Sequence, residues 1–106
     1  MLSQNQFIHH VYFWLENPTN TADHAALLAG LNKLSAVSTI QAFHIGVPAS
    51  TNRGVIDASY HFSLLTIFAT QADQDAYQID PMHLAFVDTC KHLWKKVIVY
   101  DSVGAE

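Results

Sequence analysis

Residues 7 to 15, FIHHVYFWL, constrain the fold most, because an extended run places Phe7, His9, Val11, Phe13 and Leu15 on one face and Ile8, His10, Tyr12 and Trp14 on the other. Both faces are apolar or aromatic. A strand of this kind has to be covered on each side, so it belongs inside a sheet with helices against one face and something else against the other. Across the chain, 50% of the 106 residues are hydrophobic and 13% are charged, against a usual charged share of about 25%. A small monomer's surface needs more charge than that, so a second subunit is expected to hide part of the apolar surface.

The rest of the chain alternates strand-like and helix-like stretches. Asn17-Pro18 ends the first strand, and Asn20 or Thr21 can cap a helix whose Leu27, Leu28, Leu31 and Leu34 recur at helical spacing. Gly30 inside that helix is expected to allow close approach to the sheet. Residues 39 to 47 and 59 to 68 read as strands, separated by a polar loop. Thr70 with Asp73 opens a short helix that carries Ala72, Ala76 and Ile79 at helical spacing. Asp80-Pro81 stops that helix and starts another, since aspartate is a good cap and proline fits the first helical position. The new helix carries Phe86, Val87, Cys90, Leu93 and Trp94 as its stripe, Lys91, Lys95 and Lys96 read as its solvated end, and residues 97 to 103 form a last strand.

This order predicts an α+β fold, the ferredoxin-like split βαβ with a four-stranded antiparallel sheet, pairing through its open face into a dimeric α+β barrel. Residues 1–106 are expected to form one domain with a core of about 7–103, large enough to bury roughly two thirds of its extended surface. The formal net charge is -4 with a single arginine, Arg53, which argues against nucleic acid as a partner. No run approaches a membrane span, and the single cysteine, Cys90, allows no internal disulfide. The expectation is a soluble, cytoplasmic homodimer without a nucleic-acid or membrane partner.

Five segments carry a resemblance: HHVYFWL, FHIGVPASTNR, SYHF, DQDAYQIDPMHLAFV and LWKKVIVYDSV. Together they are similar to the stress-responsive A/B barrel domain family, Dabb, over residues 7 to 103. The stretch from Tyr77 to Phe86 and the tryptophan of LWKK are its most specific parts. The resemblance implies a ferredoxin-like subunit in a dimeric barrel. It implies little about activity, since the informative members are a stable stress-associated protein and a plant polyketide cyclase that needs no cofactor.

His83 stands at the third position of the helix capped by Asp80 and on the stripe of Phe86, Val87 and Cys90, so it points inward. The positive helix end disfavours the imidazolium and leaves a neutral base near pH 7. The position is similar to that of the cyclases' general base, and Tyr77 similarly matches their tyrosine partner, whose hydroxyl can hydrogen-bond a carbonyl or phenol. The catalytic candidates are therefore His83 and Tyr77. His9, similar in position to a family histidine of the first strand, joins Val11 and Phe86 as candidate substrate-lining residues. The purely structural alternative makes His83 a buried histidine bonded to backbone and Tyr77 a packing residue. Where cyclase-like members carry a histidine in the third strand this chain has Phe62, with His61 on the opposite face, which weighs against a polyketide substrate.

Seven histidines raise the alternative of a metal site. No HxH or HxxxH pair is present and His9 and His10 face apart, so neither metal nor cofactor is expected. Cys90 falls in a core stripe, where a thiol is inert packing. Arg53 can clamp a carboxylate, but pairing with Asp57 to order the loop is the plainer expectation. His24 and His92 are expected on exposed helix faces, and His10, His44 and His61 receive no role. Two functions follow. One is a small-molecule-binding stress-response protein whose His83 and Tyr77 perform cofactor-independent cyclase, isomerase or lyase chemistry on an apolar or phenolic compound. The alternative is a non-catalytic, stable dimeric stress or binding protein.

Overall fold

The structure, a computed structural model, describes residues 2–106. Its elements run β1 (Phe7–Leu15), α1 (Thr21–Lys33), β2 (Ile40–Gly46), β3 (Phe62–Phe68), α2 (Gln71–Gln78), α3 (Pro81–Cys90) and β4 (Trp94–Ser102), with short 3-10 turns at Leu34–Ala36 and Lys91–Leu93. The sheet has the order β2-β3-β1-β4, and every neighbouring pair is antiparallel. This is the expected split βαβ arrangement.

β1 is central, and its burial alternates residue by residue. Phe7, Val11, Phe13 and Leu15 join Phe62, Leu64 and Phe68 of β3, Leu27 and Leu31 of α1, Tyr77 of α2 and Phe86 and Cys90 of α3 in one core. Ile8, His10, Tyr12 and Trp14 point to the sheet's other face, which no helix covers. The two-face pattern of β1 is thus resolved on one side only within the protomer.

The register between β1 and β4 slips between Trp14 and Leu15: Trp14 pairs with Lys96, but Leu15 pairs with Trp94. Lys95 is the extra residue of this bulge, and such an insertion reverses the facing of what precedes it. Trp94 therefore turns to the helix side, 5.2 Å from Phe13 and 5.6 Å from Phe86 between ring centroids. Lys96 stays on the open face, its ammonium 4.5 Å above the Trp14 ring. β4 begins three residues before the expected start, so Lys95 and Lys96 belong to a strand and not to the end of a helix.

The caps follow the sequence. Asn20 accepts the Asp23 amide at 3.0 Å, Thr70 the Asp73 amide at 3.2 Å and Asp80 the Met82 amide at 2.8 Å. Four packing expectations need correction. Leu28 is exposed, because it lies a full 100° around the helix from Leu27 while Leu31 and Leu34 return to the same side. α2 buries Gln74 and Tyr77 in place of Ala72, Ala76 and Ile79, since one buried aromatic ring outweighs two methyl groups and an aliphatic side chain on an eight-residue helix. Gly30 meets α3 and not the sheet: a Cβ there would stand 2.6 Å from Cys90 Sγ and 3.2 Å from the Phe86 ring. β3 starts at Phe62 and not at residue 59, and just before it His61 donates its amide to the Phe13 carbonyl at 2.8 Å and accepts the Leu15 amide on Nδ1 at 2.9 Å.

Candidate functional site

Helices α2 and α3 meet at the Asp80-Pro81 break, and the break sets Tyr77 and His83 beside each other. Their ring centroids lie 4.6 Å apart. Tyr77 is only 1% exposed, and its ring also meets Phe68 at 5.3 Å and His9 at 5.9 Å. His9, Val11, Phe13, Tyr77, Gln78, His83, Phe86 and Trp94 line one cleft of about 140 Å³ between these helices and strands β1 and β4, so the five candidate residues of the sequence come together.

Both imidazoles of the cleft are held through Nδ1. His83 Nδ1 lies 3.1 Å from the Gln78 carbonyl oxygen. A carbonyl only accepts, so Nδ1 carries the proton and Nε2 keeps its lone pair. His9 Nδ1 lies 2.6 Å from Asp101 Oδ1, the one contact between a basic and an acidic side chain among the described residues. The carboxylate likewise accepts from Nδ1–H and leaves Nε2 as the other nitrogen of a ring lining the cleft. The Thr66 hydroxyl donates to the His9 carbonyl at 3.0 Å from inside the sheet, which fixes this stretch of β1.

Burial is the main cause that holds His83 below the ordinary histidine pKa, with a smaller contribution from His9, against opposing effects of the Gln78 carbonyl and Asp80. At the helix start, Asp80 caps the first turn and its carboxylate opposes the lowering. Burial also pushes the Tyr77 phenol well above its usual value, so its hydroxyl remains a hydrogen-bond donor throughout the neutral range. The cleft thus combines a neutral imidazole lone pair, a protonated phenol and a second imidazole paired with a carboxylate. A carbonyl or phenolic oxygen at Tyr77 and a removable proton at His83 Nε2 match this set.

Asp101 is the residue that sequence reasoning missed. It stands directly opposite His9 in the β1–β4 register, so Val97, Val99 and Asp101 share the cleft-facing side of β4. Only the strand register could have revealed it. The other histidines lie elsewhere. His61 ties β1 to the segment before β3, His24 packs its ring 4.5 Å from Phe62, and His92 is exposed. Phe62 is buried, as the core requires at the position of the cyclase-like histidine. Arg53 forms no ion pair among the described residues, and Asp57 instead accepts the Ser59 amide at 2.9 Å, which corrects the expected Arg53–Asp57 contact. Burial raises the Cys90 thiol pKa, as expected for an inert core thiol. Among the described residues no three His, Cys, Asp or Glu side chains gather as a metal set.

A four-stranded antiparallel sheet with its helices on one side and a cleft between the layers defines a ferredoxin-like α+β protein. The chain belongs to the stress responsive A/B barrel domain family, whose model matches residues 8–103. A Dabb-family protein with a ferredoxin-like fold from Mesorhizobium loti is 27% identical over 95% of this chain and 98% of its own, with a TM-score of 0.79. A hydroxynitrile lyase from Passiflora edulis is similar in fold at 14% identity, covering 95% of this chain and 94% of its own, TM-score 0.76. A dimeric ferredoxin-like protein of unknown function from Thermobifida fusca matches at 16% identity over 92% and 90%, TM-score 0.75. By sequence, no curated protein matches the chain. No helix among the described residues is long and apolar enough to cross a membrane.

Proposed function

We propose that the cleft binds a small apolar carbonyl or phenolic compound and moves a proton on it without a cofactor, in a cyclase, isomerase or lyase reaction. The observation that carries this reading is the placement of Tyr77 between His83 and His9, each imidazole fixed through Nδ1. Tyr77 donates a hydrogen bond to the substrate oxygen. His83 Nε2 removes a proton from the adjacent carbon or hydroxyl, and the Tyr77 bond stabilises the negative charge that develops on oxygen. The proton taken up at His83 Nε2 is returned from there to the product, and His9, held through Nδ1 by Asp101, presents Nε2 to the cleft as a second acceptor. Val11 and Phe86 supply the apolar wall. The Passiflora hydroxynitrile lyase lends support only in showing that the same fold accommodates lyase chemistry.

The homodimer is part of this proposal. The open face of the sheet carries Tyr12, Trp14, Ile98 and Tyr100, too apolar to face water, and neighbours of the same fold are dimeric. A cytoplasmic location accords with the lone free thiol of Cys90.

Acetophenone in deuterium oxide tests the chemistry, because its methyl protons exchange slowly by themselves and faster next to a positioned base and hydrogen-bond donor. The protein should accelerate exchange, and His83→Ala should reduce that acceleration by about 100-fold or more. No acceleration by the parent protein would sink the catalytic reading. One observation favours a second reading: a cleft of about 140 Å³ is smaller than the roughly 300–1,000 Å³ of ordinary ligand sites. A stable, non-catalytic dimeric stress protein fits that volume, and acetophenone neither bound nor exchanged would establish it.

A further inference from the structure

The face of the sheet that no helix covers is built from Ala42, His44 and Gly46 of β2, Ser63, Leu65 and Ile67 of β3, Ile8 to Trp14 at even positions of β1, and Lys96 to Ser102 at even positions of β4. Across its middle runs one row. His44 pairs with Leu65, Leu65 with His10, and His10 with Tyr100. The two imidazoles thus flank a single leucine on the same face. Tyr12 stacks on His10 with centroids 4.5 Å apart, and its hydroxyl lies 3.3 Å from His10 Nδ1. Tyr100 and Tyr60 each meet the Tyr12 ring edge-on.

The charged and titratable groups facing this row can be named from every element around it. β1 and β4 contribute Tyr12 and Tyr100, and β3 contributes none. The loop before β3 contributes Tyr60 and Asp57, which with Lys96 lie about a cleft at the Trp14 corner of the face. His9 lies next to His10 but on the opposite face. No carboxylate stands in the row to compensate an imidazolium. His10 and His44 are therefore the two imidazoles of this face, and a proton on either would bring positive charge to it with no carboxylate in the row.

We propose that this face, closed by a second copy of the chain, forms a dimer that acid opens, with His10 and His44 as the switch. The inference rests on the homodimer reading given above. Two-fold pairing brings four imidazoles into one interface without counter-charges. Protonating them requires either burying unpaired positive charge or separating the subunits, and separation returns them to water. The sign is fixed by linkage. The separated protomers bind more protons than the dimer, so the dissociation constant rises as pH falls through the ordinary histidine range. Burial already holds His10 below its usual pKa in the protomer, with further lowering from His44 and then His9.

Sedimentation of the full chain at pH 7.5 and pH 5.5 tests this, with far-ultraviolet circular dichroism to confirm that the fold survives. The dissociation constant should rise by up to roughly 10,000-fold between the two, about tenfold for each of the four imidazoles that takes up a proton on dissociation. His10→Gln with His44→Gln should remain dimeric at pH 5.5. Should His10→Gln fail to fold, His44→Gln at its exposed edge-strand site should still remove part of the pH slope. A dimer equally tight at both pH values, or an unchanged slope in the variants, overturns the switch while leaving the dimer. A monomer at pH 7.5 overturns the dimer reading and the switch with it.

Discussion

Asp101, in the edge strand β4, stands 2.6 Å from Nδ1 of His9 in the central strand β1. The bond joins a buried imidazole to a carboxylate whose side chain is 45% exposed. Its contribution to stability is accordingly small, below about 1 kcal/mol after screening. Its chemical consequence is larger, because it fixes which nitrogen of His9 lines the cleft as a free base. Asp101→Asn keeps the size and a weaker acceptor but removes the charge. Acetophenone exchange should then fall by about tenfold or more with little change in melting temperature. A variant with unchanged exchange would remove Asp101 and His9 from the proposed chemistry.

His83 and Tyr77 are separated from structural roles by thermal melts. If the cleft is a working site, His83→Ala removes a group that faces a cavity, and Tyr77→Phe removes only a hydroxyl. Both should melt within a few degrees of the parent while exchange is lost. If the pair is structural, each change costs roughly 1 to 3 kcal/mol through lost packing or an unsatisfied partner, and a drop of about 4–8 °C per kcal/mol follows for a chain of this size. Large losses in both would leave only the fold and the dimer standing.

The lowered His83 pKa has a definite pH consequence. Below the ordinary histidine pKa of about 6.5 the unfolded chain binds a proton at this position and the folded chain resists it, so stability falls as pH drops through that range. Catalysis runs the other way at first. A base that stays neutral to lower pH keeps exchange active below about 6.5. The acid limb of the exchange profile should lie below that value, and a midpoint above it would show that His83 is not the base.

How much of this was legible in the sequence depends on what kind of information each residue carries. The strand of Phe7 to Leu15 and the caps at Asn20, Thr70 and Asp80 are local signals, and the elements they mark form where expected. The neighbourhood of Tyr77 and His83 was legible too, because Asp80-Pro81 fixes the turn between them. Asp101 was not, since its meeting with His9 depends on a register of strands 92 residues apart. Trp94 illustrates the same limit: its inward facing is decided by the Lys95 bulge, which no periodicity announces. The side of α2 that packs was misjudged because alanine spacing fitted a helix face, whereas burial of the Tyr77 ring chose another.

Gly30 tests the contact between α1 and α3. Adding a methyl group puts it 2.6 Å from Cys90 Sγ, a distance that core atoms do not tolerate, while alanine by itself favours the helix by about 1 kcal/mol. Gly30→Ala should therefore be a net loss of about 1 to 2 kcal/mol. Combined with Cys90→Ala the clash is relieved, and the double variant should be more stable than the sum of the single changes predicts. Strict additivity would mean that the helices do not meet as closely as this geometry requires.

The two faces of β1 give the final prediction, because adjacent residues should fail in different ways. Val11 points into the core beside Leu64 and Val99, so Val11→Asp buries an unpaired carboxylate within the protomer and should unfold it, a cost of several kcal/mol. Tyr12 is on the open face among His10, Tyr60 and Tyr100. Tyr12→Asp keeps water access in the protomer and loses it only when a second copy closes the sheet. That variant should retain its circular dichroism spectrum yet sediment at the mass of one chain, where the parent sediments at two. A parent protein that is itself monomeric at micromolar concentration, or a Tyr12→Asp protein that dimerises as tightly as the parent, would show that the partner does not meet this face.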